Sequence, residues 1–141
     1  MTPEAAAERY IAFCESMTPD DLARLEEVCA PGIRFRDPFN EVTGVDAYRR
    51  VLARMFADVG QPEFRVSARA LAGSTCFLRW SFTFRSAKGG KVTIEGVSEV
   101  AFGPDGRVTR HADFWDAGRI YERIPLLGGL VRLIRRRLSI G

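Results

Sequence analysis

Three side chains that could take part in chemistry stand at alternate positions near the end of the chain: His111, Asp113 and Trp115. In a β-strand, residues two apart point to the same face, with their Cα atoms about 6.5 Å apart. We therefore expect the imidazole, the carboxylate and the indole to lie side by side. His111 is the single histidine in 141 residues, and a histidine beside a carboxylate can move a proton near neutral pH. The pattern indicates a polar site but does not define a reaction.

The elements that must position these side chains can be predicted from turns and apolar periodicity. Three N-terminal segments place apolar residues on one face, which indicates helices, and the first two begin with proline. Alternating segments separated by turns, among them Lys88-Gly89-Gly90, indicate strands. The predicted helices cover 3–16, 18–30 and 44–59, and the predicted strands cover 33–37, 64–71, 75–85, 92–102 and 107–116. This order predicts an α+β fold in which a curved antiparallel sheet folds over three helices.

The composition limits the class of protein. Hydrophobic residues make up 46% of the chain and charged residues 28%, as in one globular domain. No apolar run reaches the roughly 18 residues of a membrane span, and the N-terminus lacks the layout of a signal peptide. Three widely spaced cysteines predict reduced thiols in a cytoplasmic protein, with no metal site and no cofactor. Four arginines among the last ten residues account for the net charge of +3, so no nucleic-acid-binding surface is expected.

Alternation also predicts which side chains face the helices. Trp80 and Phe82 fall on the apolar face of one strand, and Ser98 falls on the apolar face of the next. In the first short strand, Phe35 and Asp37 share a face. A carboxylate there is costly unless it is hydrogen-bonded or solvated in a cavity, so Asp37 is a further candidate site residue.

Three segments together resemble a known superfamily. They are Glu-Arg-Tyr10-Ile-Ala-Phe, Phe-Arg-Asp37-Pro38-Phe followed by Gly44, and Gly106-Arg-Val-Thr-Arg-His-Ala-Asp-Phe-Trp-Asp116. With the order of elements, they resemble the nuclear transport factor 2-like superfamily, in the branch that holds ketosteroid isomerases and SnoaL-like polyketide cyclases. The resemblance covers about residues 4–118. It implies a cone-shaped α+β domain with a deep pocket over 1–118, followed by a basic amphipathic helical extension over 119–141.

The same resemblance implies roles for individual residues. Asp37 matches the general base of ketosteroid isomerases, and Tyr10 matches the phenol that donates to the enolate oxygen. Ser98 stands where that family has an acid as second donor, and His111 with Asp113 would shuttle the proton. The implied activity is that of a cofactor-independent isomerase, cyclase or lyase acting on an apolar carbonyl compound, with an epoxide hydrolase less favoured. The residues expected to contact the ligand are Ser98, Trp115, Trp80, Phe82 and Phe35.

Each candidate also has a structural interpretation. Asp37 before Pro38 can cap a turn, Tyr10 can be a core residue, and His111 with Asp113 can tie the last strand to a helix. The alternative function is a non-catalytic ligand-binding or dimerisation module of the same fold. An enzyme should bring Tyr10, Asp37 and His111 around an open volume of roughly a few hundred Å³. A non-catalytic module should instead pair its buried polar groups with one another.

The C-terminal extension combines an apolar stripe with a basic end. Pro125 and Gly128-Gly129 interrupt the stripe, and the arginines suit the C-terminal end of a helix dipole. The extension can close the mouth of the cone, pack on a partner or make weak contact with an anionic membrane. The outer sheet face, where arginines stand near Glu95 and Glu99, predicts by resemblance a back-to-back homodimer. The apolar residues of the stripe are Ile120, Tyr121, Ile124, Leu127, Leu130, Val131 and Ile134.

Overall fold

The computed structural model describes residues 1–86, 89–123 and 127–140. Lys88 of the predicted turn and Ile124 and Pro125 of the extension lie outside these residues. In the part of the chain that is described, no helix combines the length and apolar character needed to cross a membrane. The elements are α1 (Pro3–Ser16), a 3₁₀ helix (Pro19–Glu27), β1 (Cys29–Arg36), β2 (Glu41–Thr43), α2 (Val45–Asp58), β3 (Gly60–Ala72), β4 (Thr75–Arg85), β5 (Lys91–Phe102), β6 (Val108–Trp115), α3 (Gly118–Tyr121) and α4 (Leu127–Leu138).

Within the described residues, six strands form one sheet in the order β2-β1-β6-β5-β4-β3. Its neighbouring strands are antiparallel except for β1 and β6, which are parallel. Irregular register between Val66 and Ala68, and between Cys29 and Arg34, bends the strands as β-bulges do. The predicted α+β fold, with a curved sheet, N-terminal helices and C-terminal helices, is confirmed.

The sheet is mixed rather than wholly antiparallel because an early strand pairs with the last one. Strands joined by a hairpin must be antiparallel, whereas β1 pairs with a strand that lies far along the chain. Phe35 therefore lies beside His111, and Cys29 lies beside Val108. This pairing brings β1 next to the strand that carries the predicted site.

The N-terminal region differs from the prediction in three elements. The second helix is a 3₁₀ helix over Pro19–Glu27, begun by a capping box. β1 begins at Cys29, so the strand runs through Pro31, where a helix end was expected. Pro31 is tolerated because it falls in the irregular register between Cys29 and Arg34, where no regular ladder hydrogen bond is required. β2, which the sequence pattern did not predict, pairs with the end of β1.

The core lies between the concave face of the sheet and the helices. Burial falls along this face of β4, because Cys76, Leu78 and Trp80 are buried whereas Phe82 and Phe84 are half-buried. One end of the cone is therefore closely packed, and the other is more open and bordered by apolar side chains. The predicted polar stripe of β6 runs toward this second end.

Candidate functional site

A chain of hydrogen bonds runs through the core from α2 to β6. The Tyr48 hydroxyl lies 3.0 Å from the Tyr10 hydroxyl, which lies 2.7 Å from His111 Nδ1. All three side chains are buried, and Phe35 stacks on the Tyr48 ring with 4.6 Å between ring centroids. The structure therefore brings the predicted Tyr10 and His111 into direct contact and adds Tyr48.

The series of hydrogen bonds continues from β6 to β5 and β4. His111 Nε2 lies 2.6 Å from Asp113 Oδ1, and the Ser98 hydroxyl donates to the same oxygen. The indole N–H of Trp80 donates to Ser98 Oγ at 2.7 Å. We call this connected set the core network; its members are Tyr48, Tyr10, His111, Asp113, Ser98 and Trp80.

Strand register explains how the β-sheet half of the core network is assembled. Ser98 of β5 lies directly opposite Asp113 of β6, so their side chains share the concave face. Trp80 lies opposite Gly96, where a Cβ would come within 2.6 Å of Trp80 Cζ2. Because Gly96 has no side chain, the indole can lie across the strand and reach Ser98.

The donor and the acceptor of each hydrogen bond in the core network can be assigned. A carboxylate only accepts hydrogen bonds, so neutral His111 must carry its proton on Nε2, which faces Asp113. Nδ1 is then an acceptor, so Tyr10 donates to His111 and Tyr48 donates to Tyr10. The Trp80 indole donates to the Ser98 hydroxyl, which in turn donates to the same carboxylate. Every donor in the core network therefore points toward Asp113.

Burial controls the ionisation of the two phenols. Desolvation raises the pKa of Tyr10 and of Tyr48 well above the ordinary tyrosine value, and the nearby Cys14 thiol adds to the effect. Burial also raises the pKa of Cys14 itself. Both phenols therefore stay neutral at physiological pH and serve as hydrogen-bond donors, not as bases.

Asp113 is the member of the core network with the most access to solvent. Its side chain is 20% exposed, compared with 8% for that of His111. The histidine and serine donors converge on Oδ1, and no hydrogen bond from the described residues reaches Oδ2. Two hydrogen bonds thus orient one carboxylate oxygen, and the other has no hydrogen-bond partner among the described residues.

Asp37 lies outside the core network. Its Oδ1 accepts hydrogen bonds from the backbone N–H groups of Phe39 and Asn40 at 2.8 and 2.6 Å. The side-chain amide of Asn40 contacts both carboxylate oxygens, at 3.1 and 3.2 Å. These bonds close the turn after β1, as expected when an acid before Pro38 caps a turn.

Aromatic side chains lie beyond Asp113 on β6, toward the open end of the cone. The ring centroid of Phe39 lies 5.5 Å from that of Trp115 and 6.0 Å from that of Tyr121. Trp115 is half-buried and stands two residues after Asp113 on β6, while Phe39 is 52% exposed. We call Phe39, Trp115 and Tyr121 the aromatic rim. Flat apolar walls beside a carboxylate suit a planar apolar ligand.

The other residues predicted to contact a ligand occupy two kinds of position. Trp80, Ser98 and Phe35 are buried, and the Phe35 ring lies 5.4 Å from the imidazole of His111. Phe82 is half-buried toward the open end of the cone. Phe82 and Trp115 therefore lie where a ligand could contact them, whereas the three buried residues pack around or belong to the core network.

Two concave regions of the surface lie away from the core network. One, of about 710 Å³, lies between the start of β5 and the C-terminal segment, and the other, of about 260 Å³, lies between α1 and the 3₁₀ helix. Neither is lined by Asp37 or by a member of the core network, so neither is the open volume around Tyr10, Asp37 and His111 that was expected of an enzyme. In the ranges that the structure describes, no group of three His, Cys, Asp or Glu side chains is placed to hold a metal ion. The partly exposed carboxylate of Asp113 is where the core network meets solvent.

Three residues of the site were not identified from the sequence. Tyr48 falls on the apolar face of the third predicted helix, and a buried tyrosine needs a partner for its hydroxyl, so that need was a usable signal. Gly96 on the inner face of a strand signals close approach of another group. Phe39 gave no signal because it follows Pro38 in an irregular segment.

The chain is similar to known proteins in sequence and in structure. The profile of the SnoaL-like domain family matches residues 8–111. No curated protein sequence matches the chain. A putative SnoaL-like polyketide cyclase from Jannaschia sp. CCS1 has a TM-score of 0.75 and 16% identity, covering 88% of this chain and 92% of that chain.

Two further solved structures share the fold. TerC, co-crystallised with polyporic acid, has a TM-score of 0.73 and 16% identity, covering 85% of this chain and 95% of that chain. An LEH-like epoxide hydrolase from M. tuberculosis has a TM-score of 0.67 and 18% identity, covering 95% of this chain and 96% of that chain. At these identities the solved structures establish the fold and not the activity. The superfamily resemblance drawn from the sequence is confirmed.

Proposed function

Because this chain belongs to the SnoaL-like domain family, we propose that it is a cofactor-independent enzyme that removes a proton beside the carbonyl group of a small apolar or polycyclic ligand. Isomerase, cyclase and lyase reactions can each begin with this step. The observation that carries the proposal is the core network, whose donors all point toward a carboxylate with one available oxygen. A putative polyketide cyclase and an epoxide hydrolase among the similar structures support an enzyme of this kind.

Asp113 is the residue that we assign as the base. In the proposed step the C–H bond next to the carbonyl breaks, the proton moves to Asp113 Oδ2, and the electron pair forms an enolate. His111 and Ser98 hold Oδ1, so two contacts orient the second oxygen. An isomerase would return the proton from Asp113 to a different carbon. In a cyclase, the enolate carbon would attack a second carbonyl of the same ligand, and Asp113 would return its proton to the alkoxide that forms.

This assignment differs from the one implied by resemblance, in which Asp37 is the base. Both carboxylate oxygens of Asp37 contact the Asn40 amide, so neither is as available as Oδ2 of Asp113. Tyr10, the implied oxyanion donor, is only 2% exposed and is already bonded to His111. In the proposal Tyr10 therefore positions the imidazole, and the aromatic rim forms the walls of the ligand site.

Deuterium exchange at carbon tests the proposal. Planar cyclic ketones such as 1-tetralone and 2-tetralone are incubated with the protein in D₂O and followed by proton NMR, since exchange reports proton removal whatever step comes next. We expect the protein to accelerate exchange, and Asp113→Asn to reduce the acceleration by about 100-fold or more, as for loss of a general base. The matched variant Asp37→Asn should retain it. Equal acceleration by wild type and Asp113→Asn would contradict the assignment, and a loss confined to Asp37→Asn would return the role to Asp37.

A non-catalytic ligand-binding module is the second candidate. It is favoured by the internal pairing of the polar groups: among the described residues, no buried side-chain nitrogen or oxygen lacks a hydrogen-bond partner. Such a module would bind the same ketones without accelerating their exchange. A shift of the Trp115 indole NMR signal on adding ketone, with no exchange of any ketone, would favour this function over the enzyme.

A further inference from the structure

The C-terminal helix α4 presents its apolar side to solvent rather than to the body of the protein. Successive residues of an α-helix are about 100° apart, so Leu127, Leu130, Ile134 and Leu138 share one side. Their exposed fractions are 40%, 53%, 49% and 78%. We call these four residues the C-terminal stripe. The apolar side of a helix normally packs on a core, so an exposed stripe needs an explanation.

Polar contacts hold a neighbouring side of α4 to the body of the protein. Arg135 pairs with Asp116 at 2.9 Å and with Glu122 at 3.0 Å. Arg132 donates to the Glu122 carbonyl oxygen at 2.8 Å. Gly128 approaches the same carbonyl so closely that a Cβ would overlap it. These contacts fix which side of α4 faces outward, so the exposure of the C-terminal stripe follows from how the helix is attached.

The segment that carries the C-terminal stripe is strongly basic. Six arginines and one glutamate give 119–141 a net charge of +5, whereas residues 1–118 carry −2. Arg136 and Arg137 make no ion pair with any residue that the structure describes. Arg137 follows Ile134 by three positions and so borders the stripe. An apolar surface with unpaired positive charge beside it requires a partner that is both apolar and anionic.

We propose that α4 docks on an anionic lipid surface, lying in the plane of the interface. The C-terminal stripe would enter the region between headgroups and acyl chains, and Arg137, which borders the stripe, would contact lipid phosphates. In an anionic lipid surface, apolar acyl chains lie directly beneath negatively charged headgroups. A helix lying in the interface can therefore contact both. With 12 residues, α4 is about 18 Å long, enough to lie along an interface but not to cross it.

A second copy of this chain fits the same surface less well. Its outer sheet face offers exposed apolar residues, but the acids there are already paired, Glu95 with Arg79 at 3.6 Å and Glu99 with Arg110. Docking of α4 on that face would place more arginines beside arginines. The charge pattern therefore favours lipid over self-association through α4.

Vesicle flotation with the full-length protein tests the proposal. We expect the protein to float with vesicles of phosphatidylcholine mixed with phosphatidylglycerol, and not with vesicles of phosphatidylcholine alone. High salt should weaken the binding because it screens the arginines. The double variant Leu130→Asp/Ile134→Asp should abolish flotation. Arg137→Gln should weaken binding about fivefold, since a basic residue near an anionic surface contributes about that factor.

A matched control tests whether vesicle binding depends on the arginine of α4 or only on the net charge of the protein. Arg50→Gln on α2 removes the same charge at an exposed position and should float like wild type. Circular dichroism confirms that each variant folds, and the arginine variants alter only exposed side chains. The proposal is overturned if wild type does not float with anionic vesicles, or if it floats equally with the stripe substituted. It is also overturned if light scattering shows a dimer that Leu130→Asp/Ile134→Asp dissociates while no form binds vesicles.

Discussion

The position of one proton on His111 decides whether the core network can act as we propose. Nε2 lies 2.6 Å from a carboxylate oxygen of Asp113, and Nδ1 lies 2.7 Å from the Tyr10 hydroxyl. A buried phenol with a raised pKa remains a donor, so Nδ1 should be unprotonated in the neutral ring. We expect long-range ¹⁵N–¹H NMR correlations to show the Nε2–H tautomer. An Nδ1–H tautomer would reverse the direction of the core network and contradict Asp113 as its final acceptor.

Removing the Ser98 hydroxyl should destabilise the protein measurably. Trp80 Nε1 would lose its acceptor in a buried position, and Asp113 would lose one of its two donors. Leaving a buried donor without a partner costs about 1–3 kcal/mol, so we expect Ser98→Ala to lower the free energy of unfolding by about that amount. Urea titration followed by circular dichroism measures it. Ser81→Ala on β4, where the side chain is half-exposed, is the control, and an equal loss in both variants would count against the core network.

Sequence alone predicted part of the site because β-strand alternation is a geometric property. It placed His111 and Asp113 on one face and Ser98 on the inner face, where the structure has them. Alternation could not predict the hydrogen bonds of Asp37, because its carboxylate accepts from backbone N–H groups in the turn after β1. The link from Tyr48 to the network depends on how α1 and α2 are each placed on the sheet, which no local pattern encodes.

Gly96 shows how one strand position controls the packing of a whole element. A Cβ there would come within 2.6 Å of Trp80 Cζ2 and 2.9 Å of the Phe114 carbonyl oxygen. Gly96→Ala should therefore displace the indole or separate β5 from β6, at a cost of about 1–3 kcal/mol. We expect reduced stability in urea and an altered near-ultraviolet circular dichroism signal. Gly32→Ala in β1 is the control, because a Cβ at Gly32 meets nothing within 4 Å among the described residues. Equal stability of the two variants would show that the indole is not held as described.

Elements with a strong local signal were predicted more accurately than those set by distant pairing. β4 was predicted with the observed limits Thr75–Arg85, since alternating residues and a turn define it. The 3₁₀ conformation of Pro19–Glu27 and the parallel pairing of β1 with β6 were missed. The pairing joins segments far apart in the chain, and the apolar pattern of Pro19–Glu27 is compatible with either kind of helix.

At the scale of the whole molecule, two buried phenols should make stability fall in alkaline solution. Burial raises the pKa of Tyr10 and Tyr48 well above the unfolded value of about 10. Below about pH 10, both phenols are protonated in the folded and the unfolded chain, so they do not make stability depend on pH. Above about pH 10, the unfolded chain releases these protons whereas the folded chain keeps them, so unfolding is favoured as pH rises. Tyr48→Phe lacks one such group. Above about pH 10, the free energy of unfolding of this variant should fall less steeply with pH than that of wild type. The two slopes should differ by about 1.4 kcal/mol per pH unit. Urea titrations across this range measure the slope, and parallel curves for wild type and variant would contradict the burial of this phenol.

The outer sheet face predicts that two copies of the chain associate back to back. Phe77, Val97 and Phe114 are 40%, 41% and 46% exposed, and Val97 lies directly opposite Phe114 in the sheet. In a twofold dimer, a residue near the axis meets its own copy, so Val97→Asp would bring two carboxylates together in an apolar contact. We expect light scattering to give twice the mass of the chain for wild type and a single mass for Val97→Asp. Ala53→Asp at an exposed position of α2, away from this face, should stay dimeric, and so should Leu130→Asp/Ile134→Asp, because α4 serves a different surface. A monomeric wild type would refute the dimer while leaving the lipid-docking proposal for α4 intact, since the two rest on separate faces of the molecule.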